Sequence, residues 1–182
     1  MNPIYQEAYD VLKSGQIIAY PTESVFGLGV DPLNIQAIES LLELKGRNQA
    51  MGLILISHNL AALAHFLAPL TDREARLLLT QHQGYTHTWL VPFSTHCPQY
   101  LYGDFDTIAV RITQHPVAKQ ICQKFGPIIS TSANPHGFPP ACSAEAVHAY
   151  FGKEIYVVKG EVGLLSQPTR IVNLKSLAVV RA

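Results

Sequence analysis

Short apolar runs, each too brief to fill a helix, recur through the chain and are separated by stretches of helical periodicity. The runs at 16–20 (QIIAY), 52–56 (GLILI), 88–92, 107–112, 128–131, 155–158, 169–173 and 177–181 read as strands. The stretches 4–14, 35–45, 58–67, 71–80, 115–125 and 143–151 read as helices, the second with Ile35, Ile38, Leu41 and Leu42 on one face. Elements of these two kinds hide their apolar surface together by laying helices against a sheet. The expected fold is therefore α/β, a mixed sheet covered by helices. No repeat, low-complexity tract or long linker interrupts the 182 residues, so residues 1–182 are expected to form a single domain.

Composition narrows the function classes. With 48% hydrophobic and 14% charged residues the chain can bury a core and is not intrinsically disordered. Its formal net charge of +0 argues against a broad nucleic-acid-binding surface. The zero conceals an asymmetry: residues 1–106 carry 5 basic and 10 acidic side chains, and residues 107–182 carry 8 and 3. An anion site is expected to draw on the second part. Cys97, Cys122 and Cys142 lie too far apart for a CxxC motif, and the start has no secretory-signal pattern, so a reducing cytoplasm and no membrane insertion are expected. The eight histidines are scattered, with no spacing that suits zinc, and no metal site is expected.

Four segments carry polar chemistry at the ends of apolar runs. Tyr20-Pro21-Thr22-Glu23-Ser24-Val25-Phe26-Gly27-Leu28-Gly29 combines hydroxyls, a carboxylate and glycines; the same residues suit a plain strand-to-strand turn. In Leu44-Lys45-Gly46-Arg47 the glycine reads as the residue that ends a helix, which lets two cations emerge at a rigid stop. They suit either the helix dipole or a polyphosphate. In Thr107–Ile112 the two-residue period puts Thr107, Ala109 and Arg111 on one face. Arg111 needs a partner there: Asp104, Asp106, Glu23 or a ligand carboxylate. Finally, Ile128-Ile129-Ser130-Thr131-Ser132-Ala133-Asn134-Pro135-His136-Gly137 runs a strand into a hydroxyl- and amide-rich loop, although an Asx turn before Pro135 also explains Asn134. Without a GxSxG elbow or a placed acid, Ser130, Ser132 and His136 do not make a serine hydrolase.

In this order, YPTESVFGLGVDP, LLELKGR with GLILIS, DTIAVRIT with HP, and PIISTSAN with PP resemble the YrdC/TsaC family of threonylcarbamoyl-AMP synthases over nearly the whole chain. The resemblance implies an α/β fold with a twisted open mixed sheet flanked by helices, whose concave face binds ATP and L-threonine. Threonine and bicarbonate give N-carboxy-threonine, which attacks the α-phosphorus of ATP; threonylcarbamoyl-AMP then serves t6A37 modification of tRNA. It implies that Lys45 and Arg47 are catalytic and hold the triphosphate, and that Thr107, Asn134 and Arg181 contact the nucleotide. Thr22, Arg111, Ser132 and Thr169 would hold threonine. ATP enters as a substrate accompanied by Mg²⁺, and the product passes to tRNA-modification proteins.

Three places depart from the family pattern. His82-Gln83-Gly84-Tyr85-Thr86-His87 replaces a WPGP-type stretch, Asn48 follows Arg47 in place of proline, and Arg170 stands in Gln167-Pro168-Thr169-Arg170-Ile171. The end at Ala182 matches the short single-domain form. A module that binds double-stranded RNA or the ribosome without catalysis is the alternative expectation, and tRNA or double-stranded RNA is the nucleic-acid partner considered for the enzyme.

Overall fold

The computed structural model describes residues 3–80, 87–165 and 169–181. The elements run α1 (Pro3–Lys13), β1 (Ile18–Pro21), β2 (Phe26–Val30), α2 (Ile35–Lys45), β3 (Ile54–Ser57), α3 (Asp72–Leu79), β4 (Thr88–Val91) and α4 (Gln99–Tyr102). They continue with β5 (Ile108–Ile112), α5 (Pro116–Phe125), β6 (Ile128–Ser132), α6 (Ala144–Phe151), β7 (Tyr156–Val157), β8 (Ile171–Asn173) and β9 (Val179–Arg181). All nine strands join one sheet in the order β7-β1-β2-β6-β3-β5-β4-β8-β9. The pairs β1–β7, β3–β5 and β4–β8 are parallel and the others antiparallel, so the sheet is mixed as expected.

Local sequence sets the helix ends. Asn34 accepts from the Ala37 N–H at 3.0 Å to start α2, and Thr71 with Glu74 forms a capping box at α3. Pro116 occupies the first turn of α5, where its missing N–H costs nothing. On one face of the sheet, Ala37, Ile38, Leu41 and Leu42 of α2 pack with Leu28, Val30, Leu55, Ile108 and Val110. Burying Ile38 and Leu41 completely contributes about 2 kcal/mol each.

The opposite face is covered at one end only. There Ala8 and Leu12 of α1, with Ala118, Ile121 and Cys122 of α5, meet Ile18, Tyr20, Ile56 and Ile128. Strand register carries that face onward from Ile18 through Gly29, Ser130, Ile54 and Ala109 to Leu90. A parallel row passes from Tyr20 to Gly27 and Ser132. Beyond the two helices these rows are built largely of small side chains, and the uncovered half of the sheet is a concavity.

Three features depart from the sequence reading. The helix expected over 58–67 is only a 3-10 turn at Ala61–Leu63. Asn59 caps that turn by accepting from the Ala62 N–H, and the chain beyond it is captured by the exit of β4. Ser94 N–H donates to Phe66 O, Ala68 N–H donates to Pro92 O, and Leu67 bridges Phe93. Pro69 further disfavours helix at Ala68. The second departure is β2, where the sequence suggested a turn: Gly27 and Gly29 weaken the strand pattern, but tertiary packing requires them. The short helix α4 was also not anticipated.

Gly29 explains the demand for small residues. A Cβ there would sit 2.8 Å from a Tyr20 ring carbon and 3.1 Å from Ile128 Cδ1, both of which belong to fully buried side chains. Gly29→Ala is expected to cost about 1–3 kcal/mol of stability through overpacking. Urea unfolding should show a lower midpoint with an unchanged slope.

Candidate active site

The open half of the sheet floors a cavity of about 330 Å³, a size suited to a small ligand. Arg47, Arg111 and Arg181 line it, together with the hydroxyl residues Thr22, Thr107, Ser130, Ser132 and Thr169. Its apolar wall includes Leu53, Ile54, Leu90, Tyr102 and Phe105. Seven of the nine site residues expected from sequence therefore meet in one place. Lys45 and Asn134 stand behind the wall rather than on it.

Arg111 is the most constrained cation. The β5 alternation delivers it to the open face with Thr107 and Ala109, while Ile108 and Val110 enter the core. Of the partners suggested by sequence, Glu23 is the one used: its Oε2 lies 3.6 Å from Arg111 Nη1, with side-chain exposures of 11% for the arginine and 9% for the glutamate. Nε donates to Thr88 Oγ1 at 3.0 Å and Nη2 to Thr169 Oγ1 at 2.7 Å. Glu23 is held in turn by the Thr113 hydroxyl at 2.8 Å and the Gln114 N–H at 3.1 Å. Burial pushes the Glu23 carboxyl up, but the Arg111 charge and these hydrogen bonds outweigh it and leave the group below its ordinary value.

The end of α2 sets the other cationic pair. Gly46 adopts φ 58° and ψ 36°, its N–H donates to Glu43 O, and the Arg47 N–H reaches back to Leu42 O. This double closure is a Schellman stop, which a left-handed glycine favours. It aims Arg47 into the cavity, where Nη2 donates to Gly52 O at 2.9 Å and the buried Nε has no hydrogen-bond partner. Lys45 turns the other way. Its ammonium donates to Ser132 O and to Asn134 O, the latter at 2.8 Å, and the Lys45 carbonyl accepts from the His136 N–H at 3.1 Å. Burial, then the Arg47 charge, lowers the Lys45 pKa to about 8. Asn134 donates its amide to Pro135 O and Phe138 O, so the side chain shapes the turn after β6.

Two further pieces close the site. Arg181 at the end of the chain's last strand donates to Thr169 O at 3.1 Å. The segment 161–165 crosses the β1–β2 loop through Gly163 N–H to Thr22 O and Leu165 N–H to Glu23 O. Three site-building residues were not singled out from sequence: Thr88, Thr113 and Tyr20. Burial pushes the Tyr20 hydroxyl far above its usual range, and that neutral hydroxyl donates to Ser130 Oγ at 2.6 Å. A polar residue inside each apolar run was the available signal. The altered residues 82–86 and Gln167-Pro168 lie outside the described residues.

The chemistry of the donor set is anionic recognition. No carboxylate is among the described lining residues, and no cluster of three or more metal-binding side chains occurs among the described residues. A hard cation such as Mg²⁺, which takes oxygen ligands, therefore finds no protein cage there. The donors instead suit a phosphate chain and a carboxylate.

The family model Sua5_yciO_yrdC, described as telomere recombination, matches residues 10–182. The chain is 44% identical over 171 residues to the threonylcarbamoyl-AMP synthase of Methylobacillus flagellatus, covering 93% of this chain and 94% of that one. It is 45% identical to the synthase of the same name from Halorhodospira halophila, covering 93% and 90%. The crystal structure of P. abyssi Sua5 complexed with L-threonine superposes with a TM-score of 0.81 at 28% identity, covering 93% of this chain and 50% of that chain. The present chain thus spans half the length of that Sua5.

Replacing Glu23 by Gln leaves Arg111 without its buried counter-charge and should destabilise the fold by about 3 kcal/mol at neutral pH. Because the folded carboxyl titrates below the ordinary 4.5, its contribution is complete above that value and is lost as pH falls through the folded pKa. Denaturation curves should show the gap between parent and Glu23→Gln narrowing from pH 5 downward, and not from pH 8 to 5.

Proposed function

The chain belongs to the Sua5_yciO_yrdC family, and we propose that it acts as a threonylcarbamoyl-AMP synthase through the cavity on the open half of its sheet. L-Threonine, bicarbonate and ATP are converted to threonylcarbamoyl-AMP and pyrophosphate. The threonine nitrogen takes up the carbon of bicarbonate with loss of water. An oxygen of the resulting carbamate then attacks the α-phosphorus, and the bond to the β-phosphate oxygen breaks. A carbamate oxygen is already anionic, so the step needs charge neutralisation and alignment more than a strong base.

The observation that carries the reading is the convergence of Arg47, Arg111 and Arg181 on one hydroxyl-lined cavity. Arg47 and Arg181 hold the triphosphate and stabilise charge on the departing pyrophosphate, with Thr107 on the nucleotide side. Lys45 adds its charge from behind Ser132 and fixes the turn from Ser132 to Asn134. Two of its three protons go to the carbonyls of Ser132 and Asn134, and the third, on a nitrogen 3.4 Å from Asn134 Oδ1, is the one a phosphate would take. Asn134 supports the nucleotide side by shaping that turn. Arg111, already forked between Thr88 and Thr169, takes the threonine carboxylate, and Thr22, Ser132 and Thr169 position the amino acid. L-Threonine in P. abyssi Sua5 supports this assignment at the level of the family.

Any Mg²⁺ arrives on the nucleotide phosphates, and none of these roles depends on it. The chain works as one domain over residues 1–182 in the cytoplasm and passes its product to proteins that complete the tRNA modification. With Arg47, Arg111 and Arg181 in the cavity and a net charge of +0, direct binding of tRNA or double-stranded RNA is not needed for the activity.

Pyrophosphate release from ATP is expected only when both L-threonine and bicarbonate are present. Arg47→Ala should lower kcat/KM for ATP about 100-fold, and Lys45→Ala about tenfold. Release that proceeds without threonine, or an Arg47→Ala protein as active as the parent, would overturn the reading.

A further inference from the structure

Thr88 opens β4 with no exposed surface, yet its side chain is polar and points to the cavity face of the sheet. Its backbone N–H donates to Arg170 O at 2.8 Å. Its hydroxyl oxygen accepts from Arg111 Nε at 3.0 Å and lies 2.8 Å from Thr169 Oγ1. The residue therefore ties the strand that carries Arg111 to the segment that carries Thr169.

The hydroxyl protons can be assigned by elimination. A hydroxyl offers one proton and two lone pairs. Among the described residues, the only acceptor within reach of the Thr88 proton is Thr169 Oγ1. The reverse assignment would strand a buried O–H without a partner, which is expensive. Thr88 therefore donates to Thr169. Thr169 Oγ1 also accepts from Arg111 Nη2 at 2.7 Å, so both of its lone pairs are engaged. Among the described residues its own proton has no acceptor, and Thr169 lines the cavity. The group that meets Thr169 there must be an acceptor.

We propose that Thr88 is a positioning residue for the carboxylate of the amino-acid substrate: it fixes the fork of Arg111 and makes the Thr169 hydroxyl an obligate donor into the cavity. The inference rests on the reading of Arg111 and Thr169 as the threonine side of the site. A carboxylate satisfies both donors at once; an ammonium or amide N–H facing Thr169 finds no lone pair. Arg47 bonds Gly52 O, and Arg181 meets Thr169 through its carbonyl rather than through the hydroxyl that Thr88 holds, so loss of the Thr88 hydroxyl bears on the carboxylate side first.

The test separates the two substrates. In Thr88→Val, which keeps the volume and removes the hydroxyl, the KM for L-threonine should rise about tenfold while the KM for ATP stays within about twofold. Thr88→Ser restores the hydroxyl and should recover most of the threonine KM. Should Thr88→Val fail to fold, Thr88→Cys, with a weakly bonding thiol of similar size, carries the same expectation. An unchanged threonine KM in the hydroxyl-less variant, or an equal rise in both KM values, overturns the role of Thr88. Arg111→Gln is the control: if it raises the threonine KM while Thr88→Val does not, only the inference fails. If Arg111→Gln also leaves that KM unchanged, the assignment of Arg111 fails first.

Discussion

A guanidinium placed inside an apolar strand has to be satisfied from every side, and the site is organised around that requirement at Arg111. Glu23 supplies the counter-charge from the β1–β2 loop, Thr88 supplies an acceptor from β4, and Thr169 supplies another from the segment before β8. Each of these groups is itself held. Glu23 rests on Thr113 and Gln114, Thr169 O accepts from Arg181, and segment 161–165 hangs on the carbonyls of Thr22 and Glu23. The ion pair thus closes a ring of contacts that starts and ends at one side chain. Its stabilisation is modest because desolvation offsets much of the attraction, but breaking it leaves a buried charge. Its larger effect is to fix where the fork of Arg111 points.

The cavity exists because the sheet is covered unevenly. Helices α1 and α5 bury the end of one face at Ile18, Tyr20, Ile56 and Ile128, and stop. The same residue rows continue as Gly27, Ser130 and Ala109, residues too small to fill the space a helix would otherwise take. A neutral chain can therefore present a strongly cationic pocket. Its three arginines come from the stop after α2, the middle of β5 and the end of β9. The net charge of zero describes the whole surface, whereas the ligand meets the local field.

Much of this was legible in the sequence where the signal is local. The Gly46 stop, the alternation around Arg111 and most strands depend on spacing within a few residues, and they appear where the sequence places them. The helix expected over 58–67 did not form, because contacts with Pro92 and Ser94, distant in sequence, outweigh helix propensity there. Strand β2 was hidden for the opposite reason: Gly27 and Gly29 look like turn residues locally, and only the closeness of Tyr20 and Ser130 explains them as strand. The same limit applies to Lys45. Sequence brings it beside Arg47, but the chain turns at Gly46 and sends the two cations to different sides of the wall.

By itself the sequence determined the fold class, the mixed sheet with its helical cover, and the set of residue types from which an anion site could be made. Those properties follow from periodicity, composition and short-range stereochemistry. The tertiary structure alone decided which carboxylate pairs with Arg111, which hydroxyls complete its fork, and that Lys45 bonds the carbonyls of Ser132 and Asn134 while Arg47 and Arg181 line the cavity. Such choices depend on strand order and on contacts between segments far apart in sequence, such as Glu23 with Thr113, 90 positions away. No local pattern encodes them, because hydrogen bonds and charges act over ångströms in space and are indifferent to distance along the chain.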